Sequence, residues 1–286
     1  MTITVPPLRQ LLDAGMTQLA DAGVCSPRHD AEALAAFVLD VPRTGLAVLT
    51  SVNAEQAERF GTLIQERARR VPLQHLTGRA GFRRIELTVG PGVFVPRPET
   101  EVLVGWCLAI VTGCSEPLVV DLCAGSGAVA LSIAVEHTRA RVHAVEREAA
   151  AFAWLDRNAA AIAPTVVRHH AEAAVALPEL DGLVDLVVAN PPYIPVSERA
   201  HVEVEVREHD PAAALWGGVD GLDGIRTVER SARRLLRPGG WLAVEHSDRQ
   251  GRSVPGLLTA AGGWSSISDH PDLAGRDRFT TAAWVG

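Results

Sequence analysis

The stretch LVVDLCAGSGAVA, residues 118–130, is the most informative part of the chain for its fold class. Its apolar start is typical of a buried strand, and Gly125 and Gly127 allow the backbone to turn closely into a helix that opens near Ser126. This strand–glycine loop–helix unit resembles the loops that bind the phosphates of dinucleotides. Ala130 replaces the third glycine of that pattern, so a tight turn that holds no ligand stays open as an alternative.

Apolar strands and helical segments alternate along the rest of this half of the chain. The strands are predicted at 118–125, 141–146, 165–170, 184–192 and 241–246, and a closing pair is predicted near 265–270 and 279–285. Repeated strand–helix–strand units with apolar strands form parallel sheets that are covered by helices on both faces. The pattern therefore predicts an α/β fold with a doubly wound parallel sheet.

The first 80 residues have a helical pattern without strand signals. Ser26 and Asn53 are placed as N-caps of two helices. The run ERARR at 66–70 is interpreted as a solvated helix end, with contact to an acidic partner as the alternative. Residues 81–97 alternate apolar and polar positions around Gly90-Pro91-Gly92, which is typical of a β-hairpin. We expect a helical domain at 1–80, a hairpin linker at 81–97 and a catalytic domain at 98–286.

Composition restricts the classes of function. The 286 residues carry a formal net charge of −7, which argues against a protein that holds nucleic acid by its phosphates. The chain has no signal-peptide pattern at its start, and no apolar run reaches the roughly 18–20 residues of a membrane span. Its four cysteines are scattered, without the spacing of a zinc site. We expect a cytoplasmic protein with no metal, no membrane contact and no direct nucleic-acid binding.

Glu146 ends the predicted strand that follows the glycine loop along the chain. A carboxylate at this place can accept hydrogen bonds from both ribose hydroxyls of an adenosine. The alternative is a solvated acid ahead of a helix. A glycine loop and an acid on successive strands suit either NAD or S-adenosylmethionine.

The stretch VVANPPYIP, residues 187–195, distinguishes these two cofactors. A planar NH₂ group is a poor nucleophile. Two acceptors can fix its orientation for reaction if each accepts a hydrogen bond from one of its N–H groups. The side-chain oxygen of Asn190 and the carbonyl of Pro191 can supply these acceptors, while Pro191 and Pro192 stiffen the backbone. Tyr193 offers a ring on which a planar group can stack. The motif thus predicts methyl transfer to a planar nitrogen, with a proline-rich turn that caps a strand as the alternative.

Several segments together resemble the PrmC/HemK family, the peptide chain release factor glutamine N5-methyltransferases. The resemblance is carried by PLQHLTG (72–78), VPRPETEVLV (95–104), NPPYIP (190–195), EVREHDPAAALWGGVDGLDGI (205–225), LLRPGGWLAVEH (235–246) and PDLAGRDRF (271–279). It implies a class I S-adenosylmethionine-dependent, Rossmann-like methyltransferase that acts on the Gly-Gly-Gln glutamine of release factors and so tunes translation termination. A lone glutamine side chain offers too little contact area for tight binding, so we also expect the helical domain to grip the protein substrate.

The resemblance also implies roles for individual residues. Asn190, Pro191, Pro192 and Tyr193 would hold the glutamine side chain, with Asn190, Pro191 and Tyr193 as the catalytic group. The residues that would hold S-adenosylmethionine are Cys123, Ala124, Gly125, Ser126, Gly127, Glu146 and Asn190.

The sequence departs from the family pattern at two positions. Cys123 stands where the family more often has glycine, which requires a negative φ at this residue. After the third strand, Glu172 can supply the acid that the family has there, but Ala173 lacks the aromatic ring that usually follows it.

Two other functions are weighed against this one. An adenine N6 nucleic-acid methyltransferase would use the same NPPY chemistry, but it needs a basic groove and a path for base flipping. A scaffold that binds the cofactor without turnover would have no use for an intact NPPY motif.

Overall fold

The computed structural model describes residues 6–286, which form two compact units. The first unit holds the described residues up to Arg79 together with Glu203–His209, and the second holds Ala80–Val202 and Asp210–Gly286. The first five residues of the predicted helical domain lie outside the described part. The sequence-based division did not foresee that a segment near residue 205 belongs to the helical unit.

The helices and strands are as follows. The α-helices are α1 (Leu8–Asp21), α2 (Pro27–Leu39), α3 (Ala54–Ala68), α4 (Leu73–Thr77), α5 (Thr100–Val111), α6 (Ala128–Glu136), α7 (Ala149–Ile162), α8 (Val204–His209), α9 (Ala212–Leu215), α10 (Asp223–Leu235) and α11 (Ser253–Ala261). The strands are β1 (Arg79–Phe82), β2 (Ile85–Thr88), β3 (Leu118–Asp121), β4 (Arg141–Glu146), β5 (Val167–His170), β6 (Val184–Ala189), β7 (Leu236–Glu245), β8 (Trp264–Pro271) and β9 (Asp277–Trp284).

The helices of the first unit pack around one apolar core that includes Leu19, Leu34 and Ile64, all fully buried. Asn53 caps α3 as predicted, because its side chain and that of Gln56 each accept a hydrogen bond from the other residue's backbone N–H. Ser26 lies at the N-cap position of α2, but its side chain makes no capping hydrogen bond there.

The interpretation of ERARR as a solvated helix end is wrong for Arg67. Its guanidinium is buried and donates to Asp30 at 2.7 Å and to Glu205 at 2.8 Å. Arg70 donates to the same Glu205 carboxylate at 2.8 Å. These pairs explain why α8 belongs to the helical unit, since a buried arginine needs carboxylate partners.

The second unit is built on a seven-stranded sheet with the order β5-β4-β3-β6-β7-β9-β8. Strands β3 to β7 are parallel, and β9 runs antiparallel to both of its neighbours. The predicted α/β fold with a doubly wound sheet is confirmed, although the sheet is mixed at the edge that carries the closing pair. Helices α5–α7 cover one face, and α10 and α11 cover the other.

The order of the sheet places the ends of β3 and β6 side by side. The chain proceeds from β3 to β4 and β5 in one direction and then returns to β6 on the other side of β3. Ligands of doubly wound sheets bind at such a reversal, beyond the carboxyl ends of the strands. The register pairs Asp121 with Val188, so the glycine loop after β3 and the NPPY segment after β6 leave the sheet together.

The strands that precede the glycine loop and the NPPY segment end earlier in the structure than predicted. Strand β3 ends at Asp121 because the following residues turn into the glycine loop, and β6 ends at Ala189 because the prolines cannot continue the sheet. A hairpin is present as the β1–β2 pair, but it turns at Arg83-Arg84, and the predicted turn at 90–92 lies after β2, where no strand follows up to residue 97. Within residues 6–286, no helix combines the length and the apolar character needed to cross a membrane.

Candidate active site

The carboxyl ends of three neighbouring strands bring the predicted site residues together. The glycine loop follows β3, Glu146 is the last residue of β4, and Asn190 is the first residue after β6. Backbone hydrogen bonds fix these ends to each other, from Leu122 N to Val188 O and from Ala124 N to Val145 O, both at 3.0 Å.

The buried carboxylate of Glu146 shapes the glycine loop. Its Oε2 accepts the Gly125 N–H at 2.9 Å, and its Oε1 accepts the Glu148 N–H at 2.7 Å. Each carboxylate oxygen has a second lone pair, so the group can accept further hydrogen bonds from hydroxyls while it holds the loop. Glu146 thus has a structural contact that the sequence interpretation did not include.

The two glycines of the loop face different surroundings. A Cβ on Gly127, whose φ is +93°, would lie 2.8 Å from Leu131 and 2.9 Å from Leu155 side-chain carbons. A Cβ on Gly125 would meet no atom within 4 Å. A side chain at Gly127 would therefore meet core side chains and not a ligand, whereas the space at Gly125 is open.

Asp121 is buried and Cys123 is half-buried beside this loop. Asp121 accepts the Ala130 N–H at 3.2 Å, its other oxygen has no partner among the described residues, and burial raises its pKa to about 7. Cys123 has a negative φ, which meets the condition set by the sequence for a non-glycine residue at this position. Burial also raises the pKa of the Cys123 thiol, so the group is a neutral thiol and not a nucleophilic thiolate.

Asn158 on α7 holds the glycine loop by a hydrogen bond to Ser126, a role that the sequence interpretation missed. Its buried amide donates to Ser126 O and to Thr88 O, each at 2.9 Å, and it accepts the N–H of Thr88 at 2.9 Å. The Thr88 hydroxyl lies 2.6 Å from the same oxygen. One asparagine thus links the hairpin, α7 and the glycine loop, but a single polar residue in a helical pattern carries no signal of such a role.

The NPPY segment rests on a second polar group that the sequence did not reveal. The Asn190 amide nitrogen donates to Thr100 Oγ1 at 3.4 Å, and the Tyr193 hydroxyl donates to Glu245 Oε1 at 3.4 Å. The other oxygen of the Glu245 carboxyl group has no hydrogen-bond partner among the described residues, and burial raises the pKa of the group to about 7. In the described part of the chain, no group donates to Asn190 Oδ1, so this oxygen remains an acceptor for a ligand.

Glycines in the motif WGGVDG allow the chain to close around the NPPY segment. A Cβ on Gly217 would lie 2.7 Å from the Pro192 carbonyl oxygen and 2.6 Å from that of Gly221. The Gln250 amide donates to Tyr193 O at 3.1 Å and to Gly221 O at 3.2 Å. The WGGVDG backbone and the Gln250 side chain thus hold the proline-containing turn in place.

The segment VPRP, which precedes α5, is also tied to the catalytic unit. Arg97 donates to Asp210 at 2.5 Å, and the Val95 N–H donates to the other oxygen of that carboxylate at 3.3 Å. After β5, the carboxylate of Glu172 is exposed and lies 3.8 Å from Arg147. Within residues 6–286, no cluster of three or more His, Cys, Asp and Glu side chains is placed to hold a metal ion.

Comparisons with known proteins find relatives of this chain. Residues 10–78 match the family model described as the PrmC N-terminal domain, and residues 102–208 match that of the methyltransferase small domain. A "Release factor glutamine methyltransferase" of Streptomyces coelicolor is 53% identical, over 93% of this chain and 94% of the relative. A "4-amino-L-phenylalanine/4-methylamino-L-phenylalanine methyltransferase" of Streptomyces pristinaespiralis is 42% identical, over 95% of this chain and 94% of the relative.

A solved structure shows the same fold. The hMettl16 catalytic domain, solved in complex with an RNA hairpin, aligns with a TM-score of 0.54 at 14% identity, over 82% of this chain and 84% of that one. The predicted class I methyltransferase fold is confirmed.

Proposed function

The chain belongs to the release factor glutamine methyltransferase family, and we propose that it methylates the side-chain N5 of the Gly-Gly-Gln glutamine in peptide chain release factors. The observation that carries the proposal is the Asn190 amide, which turns its nitrogen to Thr100 and leaves Oδ1 as an acceptor beside Pro191. The proposed product tunes translation termination, which would place the enzyme in the cytoplasm.

The residues at the strand ends fit S-adenosylmethionine as the cofactor. The space over Gly125 is open, and Glu146 at the end of β4 has lone pairs left for the two ribose hydroxyls. We propose that Cys123–Gly127 line the methionine part of the cofactor, that Glu146 holds the ribose and that Asn190 faces the methyl group. When bound, S-adenosylmethionine supplies an activated methyl group on a sulfonium.

The reaction needs a substrate nitrogen in a fixed orientation. Asn190 Oδ1 and the Pro191 carbonyl each accept one N–H of the glutamine amide, so the nitrogen lone pair is aimed at the methyl carbon. Bound S-adenosylmethionine would supply the methyl group, and the substrate nitrogen held by these two acceptors would release one proton to water. No strong general base is required, because the amide nitrogen becomes acidic as the new bond forms.

Two other planar NH₂ groups could accept a methyl group by the same chemistry. The Streptomyces pristinaespiralis relative carries the name of a methyltransferase for an aromatic amine, and adenine N6 is another planar NH₂ group. A lone side chain offers little contact area, so binding a protein substrate requires surface beyond the site. We propose that the helical unit supplies this surface.

One assay separates these substrates. Labelled methyl transfer is measured with an intact release factor, a short Gly-Gly-Gln peptide, 4-amino-L-phenylalanine and an adenine-containing duplex. We expect efficient transfer to the intact factor and a much lower kcat/KM for the peptide. Equal kcat/KM for factor and peptide would refute the role of the helical unit. Faster transfer to the aromatic amine or to DNA would refute the substrate.

A further inference from the structure

Gln250, which lies between β7 and α11, is a buried polar side chain outside the sequence motifs described so far. It is 5% exposed, and both the oxygen and the nitrogen of its amide bond to backbone groups. Its Oε1 accepts the Ser247 N–H at 3.0 Å, and its Nε2 donates to Tyr193 O at 3.1 Å and to Gly221 O at 3.2 Å. One side chain thus joins the turn after β7, the NPPY segment and the WGGVDG loop.

These three partners leave the Gln250 amide only one orientation. The Ser247 N–H can only donate, so the amide oxygen must face it. The carbonyls of Tyr193 and Gly221 can only accept, so the amide NH₂ must face them. A flipped amide would lose all three hydrogen bonds and would place its oxygen against two carbonyl oxygens. The contact from Gln250 to Tyr193 O is therefore fixed in direction.

The prolines of the NPPY segment stiffen only its first part. Asn190 and Pro191 each precede a proline, which restricts both residues to extended backbone, and the two proline rings fix their own φ angles. This restriction ends at Pro192, because its ψ angle and both backbone angles of Tyr193 lie beyond the last proline ring. The position of the Tyr193 ring therefore depends on contacts from outside the motif.

Gln250 makes one of these contacts, at the peptide group that follows Tyr193. The oxygen of this peptide group accepts from Gln250, and its N–H, which belongs to Ile194, donates to Leu215 O at 2.9 Å. The peptide group is thus held on both sides. The Tyr193 hydroxyl, in contrast, makes one long hydrogen bond of 3.4 Å to Glu245, so the closer contacts of this residue are those of its backbone.

We propose that Gln250 is a positioning residue, which holds the backbone of Tyr193 so that the tyrosine ring stacks on the amide of the substrate glutamine. The inference rests on the proposed methyltransferase function, because it gives Gln250 a role within that reaction. Gln250 acts through Tyr193 and does not touch the reacting atoms. A shift of about 1 Å in a group that orients the substrate can lower the rate by up to about 100-fold.

The first test removes the amide of Gln250. Gln250→Met keeps an unbranched side chain of similar length but has no N–H donor. Ser231→Ala is the matched control, because Ser231 is also buried in the catalytic unit and its hydroxyl lies 3.0 Å from the carbonyl oxygens of Ala173 and Thr227. We expect Gln250→Met to lower kcat with intact release factor about 10- to 100-fold, with S-adenosylmethionine affinity close to that of the parent.

The control sets the reference for this result. Ser231→Ala should keep the parent kcat, since its hydroxyl contacts no part of the NPPY segment. A parent-like kcat for Gln250→Met, or an equal loss in Ser231→Ala, would overturn the proposal.

A double-mutant cycle shows whether Gln250 acts through the Tyr193 ring. In a Tyr193→Ala background, Gln250→Met should cause little further loss of kcat, because the ring that it positions is absent. The same loss in both backgrounds would refute the positioning role. If Gln250→Met does not fold, Gln250→Asn takes its place in both tests. Its amide is one methylene group shorter and cannot reach all three partners, so the same loss of kcat is expected and a parent-like kcat is again contrary to the proposal.

A readout without turnover uses the tyrosine itself. Tyr193 is the only tyrosine among the 286 residues, so ring-¹³C-labelled tyrosine gives one set of ring signals in NMR. These signals should shift in Gln250→Met and stay at their parent positions in Ser231→Ala. If the parent fails to methylate release factor, the proposed function is wrong, and the NMR comparison still tests the contact. Unshifted ring signals in Gln250→Met refute the positioning of Tyr193 by Gln250.

Discussion

Asn158→Ala should be among the most destabilising single substitutions in the catalytic unit. The amide is 2% exposed, and its hydrogen bonds to Thr88 and Ser126 measure 2.6–2.9 Å. Each lost bond costs about 1 kcal/mol net, and a buried polar group left without a partner costs about 1–3 kcal/mol. We expect a loss of about 3–5 kcal/mol in the free energy of unfolding.

Urea unfolding measures this change, with Asn190→Ala as the matched control. Asn190 makes one side-chain hydrogen bond, a long one of 3.4 Å, so its loss should cost no more than about 1 kcal/mol. Asn158→Asp should be at least as damaging as Asn158→Ala, because a carboxylate oxygen would face two carbonyl oxygens. If Asn158→Ala and Asn190→Ala have the same stability, the proposed link between hairpin, α7 and glycine loop is refuted.

Three further predictions concern the same unit. Gly127→Ala should lower stability by about 1–3 kcal/mol through contacts with core leucines, whereas Gly125→Ala should cost only its backbone strain; thermal unfolding of both distinguishes them. Glu146→Ala should weaken S-adenosylmethionine binding by at least about tenfold, and unchanged affinity in calorimetry would contradict the ribose role. Glu245 has a pKa raised from 4.5 to about 7, so its ionisation destabilises the folded state as the pH rises through this window, by about 3 kcal/mol in total. Glu245→Gln should therefore gain stability over the parent at pH 8 and not at pH 4, and an equal difference at both values would contradict the burial argument.

The strands and loops of the sheet could be predicted because they depend on residues that are close together in the chain. The apolar run before Gly125 and the prolines after Ala189 define strand ends without reference to distant residues. The reversal of strand order then places these ends together, which follows from the rules for doubly wound sheets. The sequence therefore predicts which strand ends come together, whereas the roles of the residues at those ends stay predictions.

What the sequence did not reveal depends on partners far apart in the chain. The local sequence around Arg67 is that of a solvated helix end, but in the fold its guanidinium donates to Glu205, which lies 138 positions later in the chain. Asn158 lies in a segment whose local pattern is ordinary, and its role appears only when the fold brings it to Thr88. Buried polar networks are set by three-dimensional contacts, and periodicity carries no information about them.

The most direct test of the central claim is tandem mass spectrometry of a release factor after incubation with the enzyme and S-adenosylmethionine. We expect one added methyl group, located on the glutamine of the Gly-Gly-Gln motif, and its loss when Asn190→Ala replaces the parent enzyme. An unmodified glutamine, or a methyl group on any other residue, would contradict it.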